Sequence, residues 1–140
     1  MSEQPADRTP APLSEAQLEI MSVIWERGEA TVSEVRDVLA QSRDVARNTV
    51  QTQIVRLERK GWLEHDERDG TFVYRATRAR RSTLAGMVGS LVDRAFGGSA
   101  DALVHALLHG RGVSDEEAAR IRALIDAHAD DPAAKRGGER

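Results

Sequence analysis

No cysteine occurs among the 140 residues. Disulfides, thiol nucleophiles and cysteine-ligated zinc, copper or iron–sulfur centres are thereby excluded. Aromatic residues are few; four of the five, Trp25, Trp62, Phe72 and Tyr74, could stack on bases but sit at positions that should face inward, and a core role is expected for them. Proline is missing from 13 to 131, while Pro5, Pro10, Pro12 and Pro132 mark polar ends. Residues 1–12 and 130–140 therefore read as flexible tails. No stretch approaches the ~18 apolar residues of a membrane span. The opening MSEQPADRTPAP lacks the apolar core of a secretion signal. The expectation is a cytoplasmic protein without membrane insertion. A nucleophile elbow and a glycine-rich phosphate loop are also missing, so no enzyme and no cofactor are expected.

What is present is a segregated charge. The formal net charge is −3. Residues 43–81 alone carry ten Lys/Arg against six Asp/Glu, a local excess of +4, which leaves −7 for the rest. The pattern suggests one basic working surface on an acidic body, while the charge alone is equally that of an ordinary solvated face.

Helices announce themselves by caps and apolar periods. Ser14 and Gln17 form a capping box, with Leu13 and Leu18 as its hydrophobic staple. Leu18, Met21 and Trp25 follow at helical spacing, widened by Ile20 and Ile24, and Gly28 stops the helix. Thr31-Val32 reads as an extended step, and Ser33 as the cap of a second helix whose stripe is Val35, Val38 and Leu39. A third helix spans about Ala46 to Lys60. At roughly 100° per residue, Val50, Ile54 and Leu57 fall on one narrow seam. Asn48, Thr52, Val55 and Arg59 fall opposite, flanked by Thr49, Gln51 and Arg56. Two strand-like segments follow, joined at Asp69-Gly70, a strong hairpin signal.

Beyond residue 77 the pattern changes to three helices. Leu84, Val88, Leu91 and Phe96 mark the first, together with Met87 and Val92. Gly97-Gly98 breaks it. Ala102, Leu103, Ala106 and Leu107 mark the next, closed by Gly110. Ser114 and Glu117 form a second capping box ahead of Ala118, Ile121, Leu124 and Ile125. Such small helices bury too little by themselves, so self-association through these stripes is expected. The fold class is mainly α with a small β-wing: a winged helix-turn-helix domain at 13–77 and a helical dimerisation domain at 78–129.

The third helix carries the functional expectation. Asn and Thr cost helix stability that Glu and Lys would not. Asn, Gln, Arg and Thr are also the side chains that read base edges in a major groove. Asn48, Thr49, Gln51, Thr52 and Arg56 are candidate base contacts, and Arg56 and Arg59 suit phosphates equally. Arg68 sits at the wing tip, placed for a phosphate or the minor groove. His105 and His109 share a helix face, but two ligands are too few for a metal site unless a dimer doubles them.

The segments LSEAQLEIMSVIWERGEATVSEV, NTVQTQIVRLERKGWL, RDGTFVYRA, FGGSADALVHALL and VSDEE together resemble the penicillinase-repressor (BlaI/MecI) family over about residues 13–129. The resemblance implies a homodimeric transcriptional repressor whose winged helices bind a palindromic double-stranded DNA operator. Matching positions carry the recognition role onto Asn48, Thr49, Gln51, Thr52 and Arg56. The family's copper-responsive relatives (CopY) carry a cysteine-rich metal hook, which this chain lacks. In the penicillinase branch a membrane-bound sensor metalloprotease triggers cleavage at an Asn-Phe bond, and Ala106-Leu107 stands at that place here. Two other readings of the residues stay open. One is a winged-helix protein-interaction module, favoured by the negative net charge. The other is a repressor gated by a small ligand or metal at the dimer interface through His105 and His109.

Overall fold

The computed structural model describes residues 10–132. Most of both expected tails lies outside that range. Six helices and one hairpin make up the described chain: α1 (Glu15–Arg27), α2 (Val32–Leu39), α3 (Arg47–Arg59), β1 (Leu63–Arg68), β2 (Thr71–Ala76), α4 (Arg80–Ala95), α5 (Ala100–His109) and α6 (Asp115–Ala129). The class is the expected one, mainly helical with a two-stranded wing.

The N-terminal elements form where their caps and periods place them. The Ser14 hydroxyl accepts from the Gln17 amide while the Gln17 side chain accepts from the Ser14 amide, a complete capping box. Gly28 ends α1 at φ 88°, a conformation that favours glycine. The second cap differs from expectation. Thr31, not Ser33, starts α2, accepting from the Glu34 amide as the Glu34 carboxylate accepts from the Thr31 amide. Ser33 already lies within the helix. Both sites fit a hydroxyl cap, and only Thr31 has an acid three residues on.

α3 buries one seam, Val50, Ile54 and Leu57, against α1 and α2. Each such side chain contributes about 1.5–3 kcal/mol when fully buried. The core is completed by Ile20, Met21, Ile24, Ala30, Val35 and Leu39 from the first two helices and by Trp62, Leu63 and Tyr74 from the hairpin. Gln17 is the one buried polar side chain of the described residues, at 6% exposure. Its amide nitrogen donates to Gln53 Oε1 of α3 at 3.0 Å, and its oxygen accepts from Lys60 Nζ at 2.9 Å. Lys60 also donates to the Pro12 carbonyl, and the Trp62 indole to the Ala11 carbonyl, so the last residues of the expected N-terminal tail are held.

The hairpin pairs in the register Leu63↔Ala76 to Arg68↔Thr71. Asp69 and Gly70 both take positive φ, as a two-residue hairpin turn with matching twist requires. Ala30 adds a bridge to the outer edge of β2, exchanging two backbone hydrogen bonds of 2.8 and 2.9 Å with Tyr74. Of the four aromatics expected inside, Trp62 and Tyr74 are buried and Trp25 is half-buried, its indole donating to the Arg78 carbonyl. Phe72 is not: at 44% exposure it lies beyond the core, near the hairpin end.

The contacts divide the chain into two units between Met87 and Val88, inside α4. In the second unit Gly97 and Gly98, both at positive φ, end α4. Ser99 and Ser114 cap α5 and α6. The Ser114 hydroxyl accepts from the Glu117 amide, but the returning half of the expected capping box is not formed. None of α4, α5 and α6 contains a buried residue. Among the described residues no helix is long and apolar enough to cross a membrane.

Candidate nucleic-acid interface

α3 turns its polar side outward. Asn48, Thr49, Gln51, Thr52, Arg56 and Arg59 are all exposed, together with Val55. Gln53, on the inner flank, is spent on Gln17. Some other surface arginines of the same unit are paired, Arg43 with Glu19 at 2.7 Å and Arg27 with Glu34 at 3.4 Å, whereas Arg80 and Arg81 at the start of α4 are exposed without an ion pair to any described residue. Arg47, Arg56 and Arg59 form no ion pair or hydrogen bond with any described residue. The start of α3 has no side-chain cap and no acid in its first turn. Its positive end is unneutralised, with Arg47 at that end beside the inner flank and Arg56 and Arg59 further along on the exposed polar face.

A cleft of about 280 Å³ runs beside α3. It is lined by Thr31, Val32 and Ser33 of the α2 start, Arg47 and Gln51 of α3, and Gly70, Thr71, Phe72 and Tyr74 of the wing. A cation, hydroxyls and an exposed ring in an open cleft suit a sugar–phosphate strand better than an apolar molecule. Arg47 and Thr71 were not singled out by the sequence, while Ser33 was expected only as a helix cap and Phe72 only in the core. Arg47 had a signal, since it directly precedes Asn48 at the first position of α3.

The wing has two unlike faces because side chains alternate along a strand. One face stacks His65 on Phe72, ring centroids 4.1 Å apart, beside Tyr74 at 5.2 Å. His65 Nδ1 lies 2.7 Å from Glu58 Oε2 of α3, which ties the wing to the helix. Burial, and then the nearby Glu58 carboxylate, push the Tyr74 hydroxyl above its usual value.

The other face is ionic. Arg75 bridges Glu64 at 3.0 Å and Asp66 at 2.8 Å. Arg68, expected as a free cation at the tip, grips both oxygens of Glu29 at 2.7 and 3.0 Å and reaches Asp66 at 3.5 Å. The hydrogen bond from Arg68 holds the Glu29 carboxyl below its ordinary range, and Arg75 does the same for Asp66.

In the second unit the residues expected at a dimer interface split by exposure. Phe96, Leu103 and Ile121 are half-buried, as is Leu84 in the part of α4 that belongs to the first unit, whereas Val88, Leu91, Leu107, Leu124 and Ile125 are exposed. Leu124 reaches 70% exposure and Ile125 58%. Ala106 and Leu107 lie within α5 rather than in a loop. The His105 and His109 rings are 6.5 Å apart and tilted by 56°. No group of three or more metal-ligating side chains comes together among the described residues.

Three packed helices, a polar third helix and a two-stranded hairpin behind it define a winged helix-turn-helix protein. Apo MarR from E. coli shares the fold, with a TM-score of 0.51 and 19% identity over 82% of this chain and 76% of that one. The profile of the penicillinase repressor family matches residues 13–127. The chain belongs to that family, the transcriptional repressors of the BlaI/MecI type. It is similar to the penicillinase repressor of Bacillus licheniformis, 28% identical over 116 residues, 83% of this chain and 91% of that protein. It is likewise similar to the transcriptional regulator BlaI of Mycobacterium tuberculosis, 30% identical over 119 residues, 84% of this chain and 86% of that one.

Proposed function

We propose that the chain silences genes as a homodimer that occupies a palindromic operator. The observation that carries this reading is the exposed polar face of α3, where Asn48, Thr49, Thr52 and their neighbours stand with the unpaired Arg56 and Arg59, while unpaired Arg47 marks the helix start. Asn48, Thr49, Gln51, Thr52 and Arg56 read base edges in the major groove. Arg59 and Arg47 take phosphates, and the cleft beside Phe72 seats the backbone strand between helix and wing.

Dimerisation uses the apolar stripes of α4, α5 and α6, in which no residue is fully buried within one subunit. A second copy that covers Val88, Leu91, Leu107, Leu124 and Ile125 removes exposed apolar area from water. It also links two half-sites, so each α3 raises the effective concentration of the other. Loss of the dimer is therefore loss of repression. Proteolysis at Ala106-Leu107 by a membrane-bound sensor metalloprotease is the release step that fits. A protease needs an extended strand, and α5 has no buried side chain to hold it closed.

Fluorescence anisotropy with duplex from the chain's own upstream region tests the reading. Tight binding that weakens steeply with salt is expected. Equal affinity for that duplex and for unrelated DNA would overturn it.

A further inference from the structure

The connection between α1 and α2 touches the wing twice. Ala30 exchanges two backbone hydrogen bonds with Tyr74 on β2. Its neighbour Glu29 reaches across β2 and takes both arms of Arg68 at the end of β1. Strand alternation puts Arg68 on the face of Glu64, Asp66 and Arg75. His65, Phe72 and Tyr74 occupy the opposite face, and the latter two line the cleft with Arg47 and Gln51. The wing also carries more acid than base, with Glu64, Asp66, Glu67 and Asp69 against Arg68 and Arg75. Lifting Arg68 onto a phosphate would strip its partner from Glu29 and leave bare carboxylates before a polyanion.

We propose that Arg68 is a positioning residue, not a phosphate contact: its fork on Glu29 fastens the wing to the α1–α2 connection and so holds the cleft beside α3 at its width. This rests on the DNA-binding reading above for its consequence, though the tie itself exists in the free protein. A two-pronged guanidinium–carboxylate pair is the one surface ion pair with enough directionality for such a task.

A charge swap separates the two roles. In E29R/R68E the pair is rebuilt with its ends exchanged and the net charge is kept. Operator affinity should stay within about twofold of wild type with the same salt dependence. Hydrogen exchange at the Ala30 and Tyr74 amides should match wild type in the swap and quicken in R68E and E29R alone. A swap that binds as weakly as R68E, with the slope of log K against log salt reduced by about one, would show that Arg68 touches a phosphate and overturn the proposal. Exchange at Ala30 and Tyr74 unmoved by either single reversal would overturn it too. Should a reversal fail to fold, Glu29→Gln gives the same exchange readout more gently. Because exchange is read without DNA, a protein that binds no operator would refute the function while leaving the tie decided on its own.

Discussion

Replacing Arg56 with alanine separates recognition from folding more cleanly than any other single change in α3. The side chain is exposed and forms no ion pair or hydrogen bond with a described residue, so its loss breaks nothing inside the protein. Alanine is at least as good a helix former as arginine. Stability should therefore hold to within about 0.5 kcal/mol. Binding should not. A guanidinium that meets a guanine edge or a phosphate is worth on the order of 1–3 kcal/mol per site, about 5- to 150-fold in affinity. A dimer carries the change twice, so the loss on a full palindrome should be near the square of the loss on one half-site. Anisotropy titrations on half-site and full-site duplexes over a range of salt give all of these quantities. If Arg56 reads a base, discrimination among operator variants falls and the salt slope changes little. If it holds a phosphate, affinity falls for every sequence and the slope flattens by about one per subunit. Affinity unchanged on both duplexes, with the thermal midpoint intact, would mean that the ridge does not face DNA.

Ile54→Ala works on the opposite side of the same helix. It opens a cavity at a fully buried site, which costs about 2–5 kcal/mol and should lower the thermal midpoint by roughly 10 °C or more; a melt unchanged within 2 °C or so would contradict the seam. The pair Leu124→Glu and Ile125→Glu places charge on the most exposed apolar residues of α6. It should shift the full chain from dimer to monomer in sedimentation at micromolar concentration and weaken full-site binding far more than half-site binding; persistence of the dimer would move the interface elsewhere. Glu29 and Asp66 titrate below their ordinary values of 4.5 and 3.8. Their ion pairs thus stabilise fully above those values, and the contribution is lost as pH falls through the depressed ones. Melts of wild type and Glu29→Gln should differ at pH 7 and converge at acid pH, and a gap independent of pH would refute the linkage.

Local chemistry made most of the winged domain legible. A serine with a glutamine three residues on marks α1, and Asp69-Gly70 marks the hairpin, because each is satisfied by neighbours in the chain. The seam of Val50, Ile54 and Leu57 follows from helical geometry alone. Misplaced features depend on distant partners or on competing local ones. Ser33 and Thr31 both offer a hydroxyl, and the choice falls to Glu34. Phe72 alternates correctly with Tyr74, yet the core ends before it reaches the hairpin tip. The capture of Arg68 by Glu29 joins residues 39 apart in sequence, which no periodicity registers. For the C-terminal helices, a stripe of leucines and isoleucines states that a face needs cover; it does not state which chain supplies it. The ridge of α3 was legible in its residue types, whereas the cleft beside it required three elements to be placed.

Gln17 has a consequence for how the protein aims. Burial of the narrow seam of Val50, Ile54 and Leu57 already resists rotation of α3, because turning the helix would bring apolar side chains into water. An amide with directed bonds to Gln53 and Lys60 adds a polar key to that fit. The polar edge of α3 is thus held at its azimuth in part by a group that lies in the core rather than on the exposed face.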